Sequence, residues 1–515
     1  MIWHHIIPQP RSVAPGEGVF SGRLPLPVSG VEALDAAALE RLNRAAARII
    51  GVEAPVFVAA GNPGGGGNPG AAGNPGADPD AAGYELAVTA GGIVVTAATD
   101  AGRAAALAAL TAGIVRAGAH NGGARNTRTA AAGAAVELDA AVITDEARSP
   151  WRGLMLDTAR HFFRIEALDS LLDVLWFFRL NRFHLHLTDD QGWRFPVPQY
   201  PRLTEVGGYR PDGTSEDGRY GGFYTQAQLR ALDGDAAMMG ITVVPEIDLP
   251  GHASAALTAY PELSCSGEAP GVETRWGIFH NVLCPGAADA GPFLEVVFAA
   301  VADTFGGPFI HVGGDEVPED AWRGCPACRG EAEPYQRFVR LATELVGQLG
   351  RRPVAWDEAA GLDLPASTII LNWRRPADAA AAMKRGYDLV LAPESRAAYL
   401  DHKHLDSAEE PGRLGVCTVA DSARFAPQSY VSAHLTADDA TGGTILGGQA
   451  NLWTEEILYF RHVEYMGIVR LAALSEGLWG GEAAERRDGF FGDLEALRRH
   501  LAGRGFAVYP GAFGE

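Results

Sequence analysis

The sequence has no apolar run long enough to cross a membrane. A spanning helix needs about 18 or more largely uncharged apolar residues, and the 515 residues contain none. The opening MIWHHIIPQPRS lacks the basic start, apolar centre and small-residue cleavage site of a secretory leader. The expectation is a cytoplasmic protein, or a secreted one whose leader has been removed. Basic charge is also scarce: 42 Lys and Arg stand against 63 Asp and Glu, a net charge of −21. Phosphate backbones and anionic lipid surfaces are held by clustered Lys and Arg, so neither nucleic acid nor membrane is expected as a partner. No GxxxxGK[ST] phosphate loop occurs.

Cysteine is sparse and odd in number: Cys265, Cys284, Cys325, Cys328 and Cys417. An odd count in a long chain does not suggest a disulfide framework. Cys325-Pro-Ala-Cys328 is a single CxxC, and a structural zinc needs two more ligands at suitable spacing. Cys265 and Cys284 can supply them or can pair with each other. The favoured reading is reduced loop cysteines or one local disulfide, with no metal and no cofactor expected.

What is present is an ordinary globular composition in a chain long enough for a large core and an accessory unit. Residues 1–148 form the first unit. GYELAVTAGGIVVTAATDAGRAAALAAL reads as strand, tight turn, strand and Ala-rich helix. Before it, GNPG occurs three times within residues 61–80. Gly and Pro disfavour regular structure there, and a disordered surface loop is expected.

From 149 to 515 strand and helix patterns alternate. The predicted strands are RGLMLDTA, RFHLHLTD, ITVVPEID, FIHVGGDE, PVAWDEA, TIILNW, DLVLAPES and TILGGQANLW. Several are continuous apolar runs, as strands covered on both faces are. Eight strands with helical crossovers predict an α/β fold, a (β/α)8 TIM barrel preceded by a small α/β domain. Active sites of such barrels lie at the C-terminal strand ends. Polar and aromatic residues collect there: Asp157 and Arg160, Asp189 and Asp190, Glu246 with Asp248 and His252, Asp315 and Glu316, Trp356, Trp373, Tyr399 with Asp401, and Trp453 with Glu455.

This set holds carboxylates, one Arg, one His and aromatics, with no obvious nucleophilic Ser, Cys or Lys. Sugars stack C–H faces on aromatic rings and offer hydroxyls to carboxylates. Asp189, Asp190 and His252 can be imagined around a metal, but their spacing matches no metal motif. Glycoside hydrolysis generally places two carboxyls about 5 to 9.5 Å apart across the bond, whereas Asp315 and Glu316 are consecutive. Successive side chains diverge at a strand end. One can then protonate the leaving oxygen while the other engages a 2-acetamido substituent whose oxygen is the nucleophile.

HVGGDE resembles the signature of glycoside hydrolase family 20, the N-acetyl-β-hexosaminidases. RGLMLDTARHFF, FHLHLTDDQGWR, VPEIDLPGHASA, VAWDE, LNW, YLD and NLWTEE resemble its further motifs in the same order, and the small N-terminal domain is similar to that family's as well. The resemblance implies a retaining enzyme that removes terminal β-linked N-acetylhexosamine from an oligosaccharide. It implies Glu316 as general acid and then base, and Asp315 as the group that orients the acetamide. It implies Tyr399 on the acetamide oxygen, with Trp356, Trp373 and Trp453 as pocket walls. Arg160, Asp401 and Glu455 would hold hydroxyls, and Asp189 and His252 would pair beside the acid. A general acid must start protonated, so Glu316 is expected to have a raised pKa through burial beside Asp315.

Alternatives stay open at single positions. Trp356 and Trp373 can be barrel filling, Asp157 an ion-pair partner of Arg160, and Asp190 and Gln191 loop caps. His311 is read as a hydrogen-bonded core histidine rather than a catalytic group. No Trp lies between Trp373 and Trp453, which leaves the second sugar without the family's usual stacking platform. Release of a disaccharide on the same fold, or a carbohydrate-binding barrel without catalysis, are the competing functions. A homo-oligomer is compatible with the sequence.

Overall fold

The computed structural model describes residues 1–60, 81–120, 133–329, 333–394, 397–405, 407–408, 410–432, 434, 442–481 and 487–513. The Gly/Pro-rich loop expected at 61–80 lies outside them. The N-terminal unit is a six-stranded sheet built from β1 (Ser12–Arg23), β2 (Leu26–Ser29), β3 (Phe57–Ala59), β4 (Tyr84–Thr89), β5 (Gly92–Thr96) and β6 (Ala135–Asp145). Its order is β1-β6-β4-β5-β2-β3. Strands β4 and β5 are the hairpin predicted from alternation, and Leu86 and Val88 face the core while Glu85 faces out.

Helices α1 (Ala36–Ile50) and α2 (Asp100–His120) accompany this sheet. Asp35 caps α1 by accepting the N–H of Ala38 at 2.7 Å. Both helices also pack on α3 (Ile165–Phe177), the first helix of the second unit. Arg41 of α1 is buried there and donates to Asp173 at 2.6 Å and Asp169 at 2.9 Å. Trp176 donates its indole N–H to Ala104 O at 2.9 Å. Asp235 lies 3.2 Å from the Arg41 guanidinium as a third carboxylate, so one buried Arg of the first unit is tied to three acids of the second.

The second unit is a closed barrel of eight parallel strands: β7 (Trp151–Asp157), β8 (Arg182–His186), β9 (Thr242–Glu246), β10 (Phe309–His311), β11 (Arg352–Trp356), β12 (Ile369–Asn372), β13 (Asp388–Leu391) and β14 (Ile445–Leu452). Strand β14 pairs back onto β7, with Gly447 opposite Trp151 and Leu452 opposite Leu156. Every residue of β7 and β8 is buried, including Arg152, Asp157, Arg182, His184 and His186, so both faces of these strands are covered. The barrel helices start where the sequence marks them. Thr225 and Gln228 form a capping box on α4 (Gln226–Met238), and Pro334 opens α6 (Pro334–Gln348) after α5 (Ala290–Thr304). α7 (Pro376–Lys384) follows β12, and α8 (Phe460–Gly480) follows β14. After β11 the chain makes only a short 3-10 turn, Asp357–Gly361. That turn leaves Asp357 and Glu358 at the barrel mouth.

Candidate active site

The candidate residues converge at the C-terminal mouth of the barrel. Strand β10 ends at His311, and the chain then turns through Gly313 (φ 75°) and Gly314 (φ 101°). A Cβ at Gly313 would overlap the Asp248 carboxylate, so only glycine fits both the conformation and the approach. The N–H of Gly314 donates to Asp248 at 3.2 Å, and Tyr335 donates its hydroxyl to Gly314 O at 2.5 Å. This turn separates the two consecutive carboxylates. Asp315 is buried, whereas the Glu316 side chain keeps 35% of its surface exposed. Glu316 and His252 both have φ 49°, a region non-glycine residues rarely enter without a constraint around them.

Beneath the mouth, Glu246 at the end of β9 gathers three imidazoles. His184 Nε2 lies 3.0 Å and His186 Nδ1 2.5 Å from one of its oxygens. His311 Nδ1 is 3.1 Å from the other, to which Trp356 donates its indole N–H at 2.7 Å. His184 accepts at Nδ1 from the Gln449 amide at 3.0 Å, so it donates to Glu246 from Nε2 and stays neutral. Burial accordingly lowers its pKa to about 4, against the pull of Glu246. His186 faces Glu246 on one nitrogen and Asp189, at 3.0 Å, on the other. Burial opposes its charge, but Glu246 and Asp189 hold it well above the ordinary imidazole value.

Asp189 links this core to the surface. It pairs with Arg160 at 2.7 Å and with His252 Nδ1 at 3.3 Å. Asp190 lies 3.2 Å from the same nitrogen and accepts the N–H of Ser254 at 2.9 Å. Arg160 also reaches Asp157 at 3.4 Å and donates to Gln191 at 3.1 Å. The far nitrogen of His252 points at the pair, 3.5 Å from Glu316 and 4.0 Å from Asp315. With acceptors on both sides, His252 is an imidazolium; against burial, Asp189 raises its pKa well above normal. A relay therefore runs Arg160–Asp189–His252–Glu316.

The expected raised pKa of Glu316 is corrected by this relay. Burial pushes Glu316 up, but the hydrogen bond and charge of His252, with Arg160 behind it, outweigh burial and hold it below the usual glutamate value. Asp315 is instead the raised member, well above an ordinary aspartate, through burial and then the charge of Asp248. The sequence suggested burial beside the Asp315 charge as the dominant influence; the His252 imidazolium facing Glu316 acts the other way and outweighs it. Burial followed by the charge of Asp315 also lifts Glu358 to about 9.

Aromatic rings and two further carboxylates close the other side. Trp453 packs over the Arg160 guanidinium at 5.0 Å and lies 5.8 Å from Trp356. Trp356 is wholly buried; Trp373 is half-buried, stacks 6.2 Å from Tyr399 and donates to Glu358 at 3.3 Å. Tyr399 bridges to Asn451 on β14, which sets it beside Trp453. Asp401 accepts from Arg413 at 2.7 Å, and Glu455 lies 3.9 Å from the same guanidinium. One buried oxygen in each of Asp315, Asp401 and Glu455 has no protein partner. Buried polar atoms are normally satisfied, and three orphans around one mouth suit a hydroxyl-rich and amide-bearing ligand. His184, His186, Glu358 and Arg413 belong to this site without having been singled out, and Glu246, noted only as a polar residue at a strand end, is its hub. The two histidines alternate in FHLHL, which places them on one face; Arg413 opens a short strand, Arg413–Val416, that pairs with His402–Lys403 and carries no such signal.

A carboxylate-rich, aromatic-walled mouth on a (β/α)8 barrel defines the class, a glycoside hydrolase. The catalytic-domain model of glycosyl hydrolase family 20 matches residues 149–482, and that of the family's domain 2 matches residues 4–145. The chain belongs to glycosyl hydrolase family 20. It is 37% identical to a β-hexosaminidase of Porphyromonas gingivalis over 352 residues, 65% of this chain but 44% of that protein. It is 32% identical to a β-hexosaminidase of Akkermansia muciniphila over 394 residues, 74% and 78% of the two chains. The solved Streptomyces plicatus N-acetyl-β-hexosaminidase in complex with Thio-NAglucal superposes with a TM-score of 0.81 at 27% identity, covering 99% of this chain and 97% of that one.

Proposed function

We propose that this chain removes terminal β-linked N-acetylhexosamine, GlcNAc or GalNAc, from the non-reducing end of oligosaccharides. Retention would follow from attack by the substrate's own acetamide oxygen. The observation that carries the reading is the disposition of Asp315 and Glu316: consecutive, divergent, one buried and one at the mouth. They reach one ligand at different atoms instead of facing each other across a bond. The names of the Porphyromonas, Akkermansia and Streptomyces relatives support the same activity.

In this reading Glu316 protonates the leaving oxygen and later deprotonates the incoming water. The partnerless Asp315 oxygen accepts the acetamide N–H, aims the carbonyl oxygen at the anomeric carbon and gains as positive charge develops there. Tyr399 donates to the acetamide oxygen, while Trp356, Trp373 and Trp453 exclude water and confine the group. Arg160, Asp401 and Glu455 hold the sugar hydroxyls. Substrate also resolves the proton placement. The acetamide N–H favours the Asp315 anion, and a sugar covering Glu316 beside that anion favours the Glu316 acid.

The test is hydrolysis of a chromogenic β-GlcNAc substrate by site variants. Glu316→Gln should lose about 100- to 10,000-fold in kcat, and less on substrates with an activated leaving group. Asp315→Asn should lose kcat with every leaving group. A thiazoline mimic of the cyclised acetamide should compete strongly. Full activity in Glu316→Gln, or indifference to the thiazoline, would remove the assignment.

A further inference from the structure

Four of the five cysteines meet at one point outside the catalytic mouth. The Sγ atoms of Cys265, Cys284, Cys325 and Cys328 all lie within 4.8 Å of one another. Cys284 is 3.4 Å from Cys328 and 3.7 Å from Cys325. A disulfide needs sulfurs about 2.05 Å apart, and none of these cysteines forms one. A tetrahedral zinc with bonds of about 2.3 Å would hold its four sulfurs about 3.8 Å apart. The cluster therefore has nearly the size of a single-ion tetrathiolate shell.

The surrounding backbone is built for it. Cys265 and Cys284 belong to the segment after β9, where Ser264 and Leu283 form an antiparallel bridge and Cys284 N–H donates to Leu263 O at 2.9 Å. Cys325 and Cys328 belong to the segment after β10, where Cys325 N–H donates to Trp322 O at 3.1 Å. The two segments press together so closely that a Cβ at Gly286 would overlap the carbonyl of Ala327. Trp322 seals the join: it is buried with Val282 and the cysteines and donates its indole N–H to Leu283 O at 3.1 Å. Cys284, Cys325 and Cys328 are buried, and Cys265 is partly so.

We propose that these four thiolates bind one Zn²⁺ as a closed structural site. Soft thiolates in tetrahedral array select zinc among common divalent ions, and four protein ligands leave no position for a reacting water. The ion cross-links the two strand-end segments that carry the site: His252 lies on the first, and Asp315 and Glu316 on the second. It is a staple for the relay, and it stands independently of the reaction assigned to the mouth. Binding requires loss of the thiol protons, so zinc uptake releases protons and weakens in acid.

The full chain, purified under reducing conditions without chelator, should hold one zinc per molecule by elemental analysis. X-ray absorption should find four sulfurs at about 2.3 Å. Stripping with a chelator should lower the unfolding midpoint, and zinc chloride should restore it. Cobalt chloride added to the stripped chain should give intense thiolate charge-transfer bands. The double variant Cys325→Ser/Cys328→Ser should lose the metal, and Cys417→Ser should keep it. Four results would overturn the proposal: no zinc or cobalt uptake by the reduced wild type, equal zinc in wild type and double variant, iron in place of zinc, or two disulfides joining the four cysteines in the folded chain.

Discussion

At the scale of single residues, His252 sets the state of the acid. It touches Glu316 on one side and Asp189 on the other, and its charge keeps Glu316 below the usual value. A general acid works only while protonated, so activity falls as pH rises through its pKa. His252→Asn removes the depressing charge. The alkaline limb of the kcat/KM profile should therefore move to higher pH, while the maximal rate falls. An unmoved limb would show that His252 only supports the fold. Glu246 is the second such residue. Glu246→Gln leaves the His186 imidazolium without its main counter-charge, and loss of one partner of a buried pair costs about 3–5 kcal/mol. Urea unfolding of the variant should show a loss of that order. Roles of this kind were only partly legible. Asp189, His252, Asp315 and Glu316 stand in motifs at strand ends, but the direction of the Glu316 shift depends on which ring faces it, and spacing in the chain does not carry that.

At the scale of elements, the turn after β10 decides whether two neighbouring carboxylates can serve one ligand. Gly313→Ala should clash with Asp248 in a backbone region alanine avoids. The expected outcome is a stability loss above about 1 kcal/mol and a fall in kcat exceeding any change in KM, measured by thermal unfolding and steady-state kinetics. All eight barrel strands could be read from the sequence: several are continuous apolar runs because both faces are buried, while RFHLH alternates Phe183 and Leu185 with His184 and His186. The β4–β5 hairpin and α2 were legible for a similar reason, since alternation and an Ala-rich stretch are local signals. Strand β1 was not, because Pro15, Gly16 and Gly18 interrupt SVAPGEGVFSGR where its register with β6 shifts between Pro15 and Val19. The segment carrying Arg413 stayed hidden too. It is a four-residue strand, Arg413–Val416, paired with the two-residue strand His402–Lys403, too short to show a pattern, and its place beside Asp401 and Glu455 is set by tertiary contacts.

At the scale of the whole molecule, two units share an interface held by Arg41, Arg179 and Trp176. The barrel core carries opposed histidines whose titration bounds its stability. Unfolded imidazole titrates near 6.5, while folded His184 holds out to about 4. Its contribution is complete above about 6.5 and is lost as pH falls through about 4. His186 and His252 are raised. Their contribution is complete below about 6.5 and is lost as pH rises through their folded values. The unfolding midpoint should thus decline on both sides of near-neutral pH, and a scan between pH 4 and 9 checks it.

The central claim is that the substrate supplies the nucleophile. It is tested by the ratio of kcat/KM for the nitrophenyl β-glycosides of N-acetylglucosamine and of glucose, measured on the wild-type chain. The account predicts ready turnover of the first and almost none of the second, because glucose has no acetamide to attack or to engage Asp315. Comparable turnover of the two would contradict it.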